Sequence, residues 1–183
     1  MHIDTPFGPL TCTAGPALAE HFVVVVAPLA SRHRSRPAVT GCLAIVWQVT
    51  AEHALASGVV TCEWVHAWAP GTPASGEGLE AIEWESGACA IALGTEDIAA
   101  LRARLGLTLP AHYAETLDAD STITYGDAGF RVTVAPMQAG DVASGHFILA
   151  WTDRADAVGA WLEVDRPHAA LRTVLEPPAD AVC

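Results

Sequence analysis

Apolar segments in this chain are short, and most are entered through a turn. The dipeptide Ser-Gly occurs at Ser57-Gly58, Ser75-Gly76, Ser86-Gly87 and Ser144-Gly145. Each stands at or just before an apolar run, namely Val59 to Trp68, Leu79 to Trp84, Ala88 to Leu93 and His146 to Trp151. Glycine supplies a positive φ and serine bonds locally to the backbone, so each pair reads as a turn feeding a strand. Loops this short cannot carry parallel crossovers, which leaves mostly antiparallel pairing. The spacing is too irregular for a solenoid or propeller repeat.

The remaining elements follow from the same reading. His21 to Ala27 contains four consecutive valines, the pattern of a central strand buried on both faces. The residues before it, broken by Pro6, Gly8, Pro9, Gly15 and Pro16, read as irregular chain. Cys42 to Thr50 and Val59 to Trp68 form a strand pair, and Leu79 to Glu85 with Ala88 to Leu93 form a hairpin about Ser86-Gly87. Thr122 to Tyr125 and Phe130 to Ala135 enclose Gly126 to Gly129. His146 to Thr152 and Val158 to Val164 read as a further hairpin, a helix from Asp153 being the alternative. Helical spacing is clearest after Gly94: Thr95 serves as N-cap, Glu96 and Asp97 put negative charge in the first turn, and Ile98, Leu101 and Leu105 recur on one side. Short helices are also expected over Ala111 to Leu117 and from Pro167 to Glu176. The expectation is a β-rich α+β fold, a mostly antiparallel sheet of about eight strands with two or three short helices. At 183 residues the chain buries a real core in a single domain, residues 1–183, without disulfides or metal.

Charge narrows the partners. There are 21 acidic residues against 9 basic ones, all arginine, for a net charge of -12. No arginine occurs from Pro37 to Leu101, a stretch with eight acids: Glu52, Glu63, Glu77, Glu80, Glu83, Glu85, Glu96 and Asp97. Four of the six tryptophans, Trp47, Trp64, Trp68 and Trp84, share it. Nucleic acid is excluded as a default partner, because phosphate binding needs a basic footprint. Anionic membrane surfaces are disfavoured for the same reason, and the apolar runs fall short of the ~20 residues of a membrane-spanning helix. Met1 to Pro6 carries no secretory pattern, so a cytoplasmic location is expected. Five cysteines, Cys12, Cys42, Cys62, Cys89 and Cys183, are odd in number and widely spaced, which fits buried reduced thiols.

Motifs for chemistry are thin. Cys62 and His66 lie four apart, but on a strand that is roughly 13 Å, too far for two ligands of one ion. There is no Cys-x-x-Cys, His-x-His or His-Glu-x-x-His, so neither a metal nor another cofactor is expected. Ser75 lacks the Gly-x-Ser-x-Gly context of a nucleophile elbow. Cys89 sits in an apolar run where burial keeps a thiol inert. The absence of lysine excludes Walker-type and Schiff-base sites.

What remains is the acidic, tryptophan-bearing stretch. Alternation puts Glu83 and Glu85 on one face of their strand, with Ile82 and Trp84 on the other. Such a carboxylate pair suits a glycosidase at some separations, the solvated face of a hairpin, or an acidic ridge of Glu77, Glu80, Glu83 and Glu85 that docks a basic partner. The leading expectation is a non-enzymatic binding protein that neutralises a basic protein, as an immunity protein or antitoxin does with a nuclease-like bacterial toxin. Its contact residues are Glu77, Glu80, Glu83, Glu85 and Asp97, with Trp68 as an aromatic anchor. The alternative is a small-molecule-binding domain or hydrolase whose pocket is lined by Trp64, His66 and Trp68 with Glu83 nearby. A third reading is acidity that serves solubility alone.

Overall fold

Alternating burial along short strands closes into two antiparallel sheets. The computed structural model describes residues 1–31, 39–67, 69–76, 78–101, 122–153 and 157–171. Its strands are β1 (His2–Thr5), β2 (Gly8–Ala14), β3 (Phe22–Pro28), β4 (Val39–Thr50), β5 (Gly58–Trp64), β6 (Thr72–Gly76), β7 (Leu79–Ser86), β8 (Cys89–Glu96), β9 (Ile123–Gly126), β10 (Gly129–Val134) and β11 (Val142–Asp153). Helix α1 spans Ala157–Val164, and 3-10 turns lie at Ala19–His21 and His168–Leu171. The first sheet runs β1-β2-β5-β10-β9 and the second β3-β4-β11-β8-β7-β6.

The described residues thus hold eleven strands, and the expected eight is an undercount. The missed strands are β1, β2 and β6, all masked by proline, glycine and small polar residues. Pro9 sits in β2 opposite Asp4, and Pro73 in β6 opposite Ile82. β6 is an edge strand, where a missing N–H can face away from the ladder. Two further corrections concern type and place. Residues 158–164 are helical, because their apolar positions cover one face of the second sheet rather than pair with a strand. The valine-rich β3 is an edge strand rather than a central one, and Val23 is 60% exposed. The helix expected from Thr95 starts later, since Thr95 and Glu96 still belong to β8. Its continuation past Leu101, the segment Ala111 to Leu117 and the loop Arg32 to Arg36 lie outside the described residues.

The two sheets pack face to face. Phe130 of β10 stacks on Phe147 of β11 with centroids 6.3 Å apart, and Trp64 of β5 meets Trp84 of β7 edge-on at 6.0 Å. The outer face of the first sheet is polar: Thr13 and Thr61 hydroxyls lie 2.8 Å apart, and Arg131 donates to Glu63 at 3.1 Å. The middle strands of the second sheet are covered on both faces. Its far side is floored by Ala44, Ala81, Ala92 and Ala150, on which Ala160 and Val164 of α1 rest. A Cβ on Gly94 would come within 2.7 Å of Val164, so the floor must stay small for the helix to sit this close.

Large and small residues also trade places across β4 and β11. Gly145 faces Trp47, and Gly41 faces Trp151. Each indole lies over the opposite glycine, and a Cβ at either glycine would overlap the ring. The helix is pinned at its end by a buried ion pair. Glu163 and Arg166 are in direct contact, Arg166 also donates to the Ala30 carbonyl at 2.8 Å, and Ser31 donates to Glu163 at 2.5 Å. Next to them, burial pushes the Cys42 thiol up to about 12, partly opposed by the charge of Arg166. Such a thiol stays protonated and inert.

Two stability losses are expected in urea denaturation. Gly145→Val forces a side chain into Trp47 and costs about 1–3 kcal/mol. Arg166→Leu leaves Glu163 buried without its cation and costs about 3–5 kcal/mol.

Candidate functional site

The β7–β8 hairpin carries the acidic residues, and its turn fixes which way they point. Ser86 pairs with Cys89, leaving Gly87 and Ala88 as a two-residue loop in which Gly87 has φ 59°. That positive φ matches the strand twist and sets the register. Ile82 and Trp84 then face the other sheet, whereas Leu79, Ala81, Glu83 and Glu85 face the α1 side, as alternation predicts. Beside α1, Glu83 and Glu85 line an open depression of about 300 Å³ with Pro70, Thr72, Ala90 and Ala160. Thr72 comes from the edge strand β6, where it pairs directly with Glu83. Partial burial pushes the Glu83 carboxyl above its ordinary range.

The other expected contact residues are elsewhere. Glu80 lies on the opposite face of β7, toward the first sheet, where it accepts a hydrogen bond from the Tyr125 hydroxyl. Burial, and then the charge of Asp97, raises its carboxyl. Asp97 itself is engaged by the backbone: one oxygen accepts from Ala100 N at 2.7 Å, the other from Gly78 N at 2.9 Å. It is therefore the N-cap of the helical turn at 98–101, the role expected of Thr95. The Thr95 hydroxyl donates instead to the His146 carbonyl at 2.8 Å. Glu77 and Trp68 lie outside the described residues. The continuous ridge read from the sequence thus reduces, among the described residues, to the pair Glu83 and Glu85.

Only part of the rival pocket can be placed, since Trp68 lies outside the described residues. Trp64 is 4% exposed in the core between the sheets, and His66 is exposed beyond the end of β5. Neither joins Glu83 in the depression. Cys89 is the first residue of β8 and half-buried, not enclosed within the strand. Cys12 and Cys62 are buried partners across β2 and β5, and burial together with Cys12 holds the Cys62 thiol well above its ordinary value.

A second group of polar residues was not read as a unit from the sequence. Glu96, His146 and His168 are buried together on the α1 side of the second sheet. They are separated by 50 and 22 residues and belong to no motif. The one local sign is His146 itself, a histidine immediately before the run Phe147 to Trp151 that packs as the centre of a sheet.

Compared with known proteins, the chain matches no family model, no curated protein and no solved structure. Among the described residues no helix is long and apolar enough to cross a membrane.

The raised carboxyl of Glu83 means that the folded chain holds that proton more tightly than the unfolded chain does. Stability is then lost as pH rises out of the ordinary carboxylate range. Glu83→Gln is expected to melt at a higher temperature than the parent at pH 7. The difference disappears below about pH 4, where both side chains are neutral. Thermal melts at the two values check this.

Proposed function

We propose that the protein is a non-enzymatic acidic binding module that neutralises a basic protein, in the manner of an immunity protein or antitoxin acting on a nuclease-like toxin. The observation that carries this reading is the depression beside α1, where two carboxylates from one strand line a hollow of about 300 Å³. Its size and charge suit an arginine or lysine side chain of the partner. Burial raises Glu83, so keeping it ionised opposes folding, and a cationic guest would relieve that opposition.

The charge balance around the groove supports the same reading. Arginine occurs at only two described positions, and both are engaged: Arg131 with Glu63 and Arg166 with Glu163. Exposed acids such as Asp4, Glu20 and Glu52 leave the surface strongly negative. A field of one sign speeds encounter with a basic partner and repels nucleic acid. A cytoplasmic location, where thiols stay reduced, belongs to this proposal.

The experiment is capture of a basic partner from source lysate at low salt, followed by calorimetric titration of the identified partner. Glu83→Lys combined with Glu85→Lys is expected to weaken binding by tenfold or more, about 1.4 kcal/mol. Raising the salt weakens the parent complex in the same direction. An affinity unchanged by the double charge reversal overturns the proposal.

A further inference from the structure

Glu96, His146 and His168 come together from three separate elements. Glu96 ends β8, His146 lies in the middle of β11, and His168 opens the 3-10 turn that covers the sheet after α1. The β8–β11 register, with Ile148 opposite Gly94, brings His146 opposite Glu96 two residues further along. All three are on the covered face, with exposures of 8%, 1% and 7%. One carboxylate oxygen and one nitrogen from each imidazole lie within 4.8 Å of one another.

The facing atoms carry the argument. His146 Nδ1 and His168 Nδ1 are 3.1 Å apart. Two imidazole nitrogens at ~2.05 Å from one ion, at a tetrahedral angle, stand about 3.3 Å apart. The outer nitrogen of His168, Nε2, is 3.4 Å from the Ser144 hydroxyl. This is the arrangement of a metal-binding imidazole, whose inner nitrogen turns its lone pair to the ion while the outer N–H is held by an oxygen. The β11 strand supplies both parts, since Ser144 and His146 are two residues apart on the same face.

We propose that Glu96, His146 and His168 form a binding site for one divalent transition-metal ion, zinc by its donor set of two imidazole nitrogens and a carboxylate. This donor set suits zinc and related first-row ions and disfavours calcium and magnesium, which take oxygen ligands. Without an ion, one of the two facing Nδ1 atoms must carry a proton to donate to the other. When the ion binds, that imidazole changes to its Nε2-protonated tautomer, so both Nδ1 lone pairs face the ion, and Glu96 offsets one of its two positive charges. Because the ligands are buried and come from distant parts of the chain, the ion acts as a cross-link that fastens the turn His168–Leu171 to β8 and β11. The site is independent of the acidic groove, whose residues it does not share.

The test uses the full chain, stripped with a chelator and then dialysed against zinc. The expected result is about one zinc per chain by elemental analysis, with a higher melting temperature in zinc than without it. Glu96→Gln and His168→Gln are each expected to weaken uptake by about tenfold or more and to abolish the zinc-dependent rise. A surface control is at hand, because His21 and His53 also meet, with ring centroids 5.0 Å apart. His21→Gln with His53→Gln is expected to keep both the stoichiometry and the rise. If His168→Gln fails to fold, the Glu96→Gln chain decides. Zinc uptake by the parent well below one equivalent, uptake unchanged by the ligand substitutions, or uptake lost in the surface control overturns the proposal.

Discussion

One requirement organises the second sheet and α1: the middle strands of that sheet hide both of their faces. One face meets the first sheet and the other meets α1, and a helix lies close to a sheet only over small side chains. Ala44, Ala81, Ala92, Ala150 and Gly94 provide that floor, which explains why alanine is so frequent in strands where β-branched residues are the usual choice. The same requirement accounts for the Glu163–Arg166 pair. A helix of eight residues has little stability of its own. Here its end is held by a buried guanidinium that also reaches the Ala30 carbonyl.

Charge is distributed according to the same layering. Where a face is covered, carboxylates are matched, as Glu163 is by Arg166 and Asp97 by two backbone N–H groups. Beside the covering helix, Glu83 and Glu85 line the hollow. Partly buried charge that opposes folding is a common mark of a surface shaped for something other than stability. The hollow and the histidine pair both lie on the α1 side of the sheet, one near the edge strand and the other beneath the 3-10 turn.

The alternation of Leu79 to Glu85 was legible residue by residue, because a strand with one wall and one cover keeps a period of two. The facing of Glu83 and Glu85 follows from it directly. Pro73 and Pro9 conceal strands, since proline argues against a strand in general and is tolerated at particular places in a sheet. Val158 to Val164 was ambiguous for a different reason: seven residues of mixed small and apolar type fit either period, and only the alanine floor beneath them selects the helix. The valine run of β3 reads as doubly buried, yet its neighbours place it at an edge. The cluster of Glu96, His146 and His168 lay beyond reach altogether, because it depends on a register between strands 50 residues apart and on a turn that no periodicity marks.

Strand order also has a temporal side. β11 lies between β4 and β8 at the middle of the second sheet, and its pairing with β4 joins residues about 100 positions apart. While a ribosome is still making the chain, β3 and β4 are available as a hairpin, but the strand that must lie beside β4 has not emerged. The edge of β4 therefore waits uncovered until β11 has been made, and non-local pairing of this kind is intrinsically slow. Assembly of the larger sheet is in effect a late event, completed only when β11 enters the gap and α1 folds down over it.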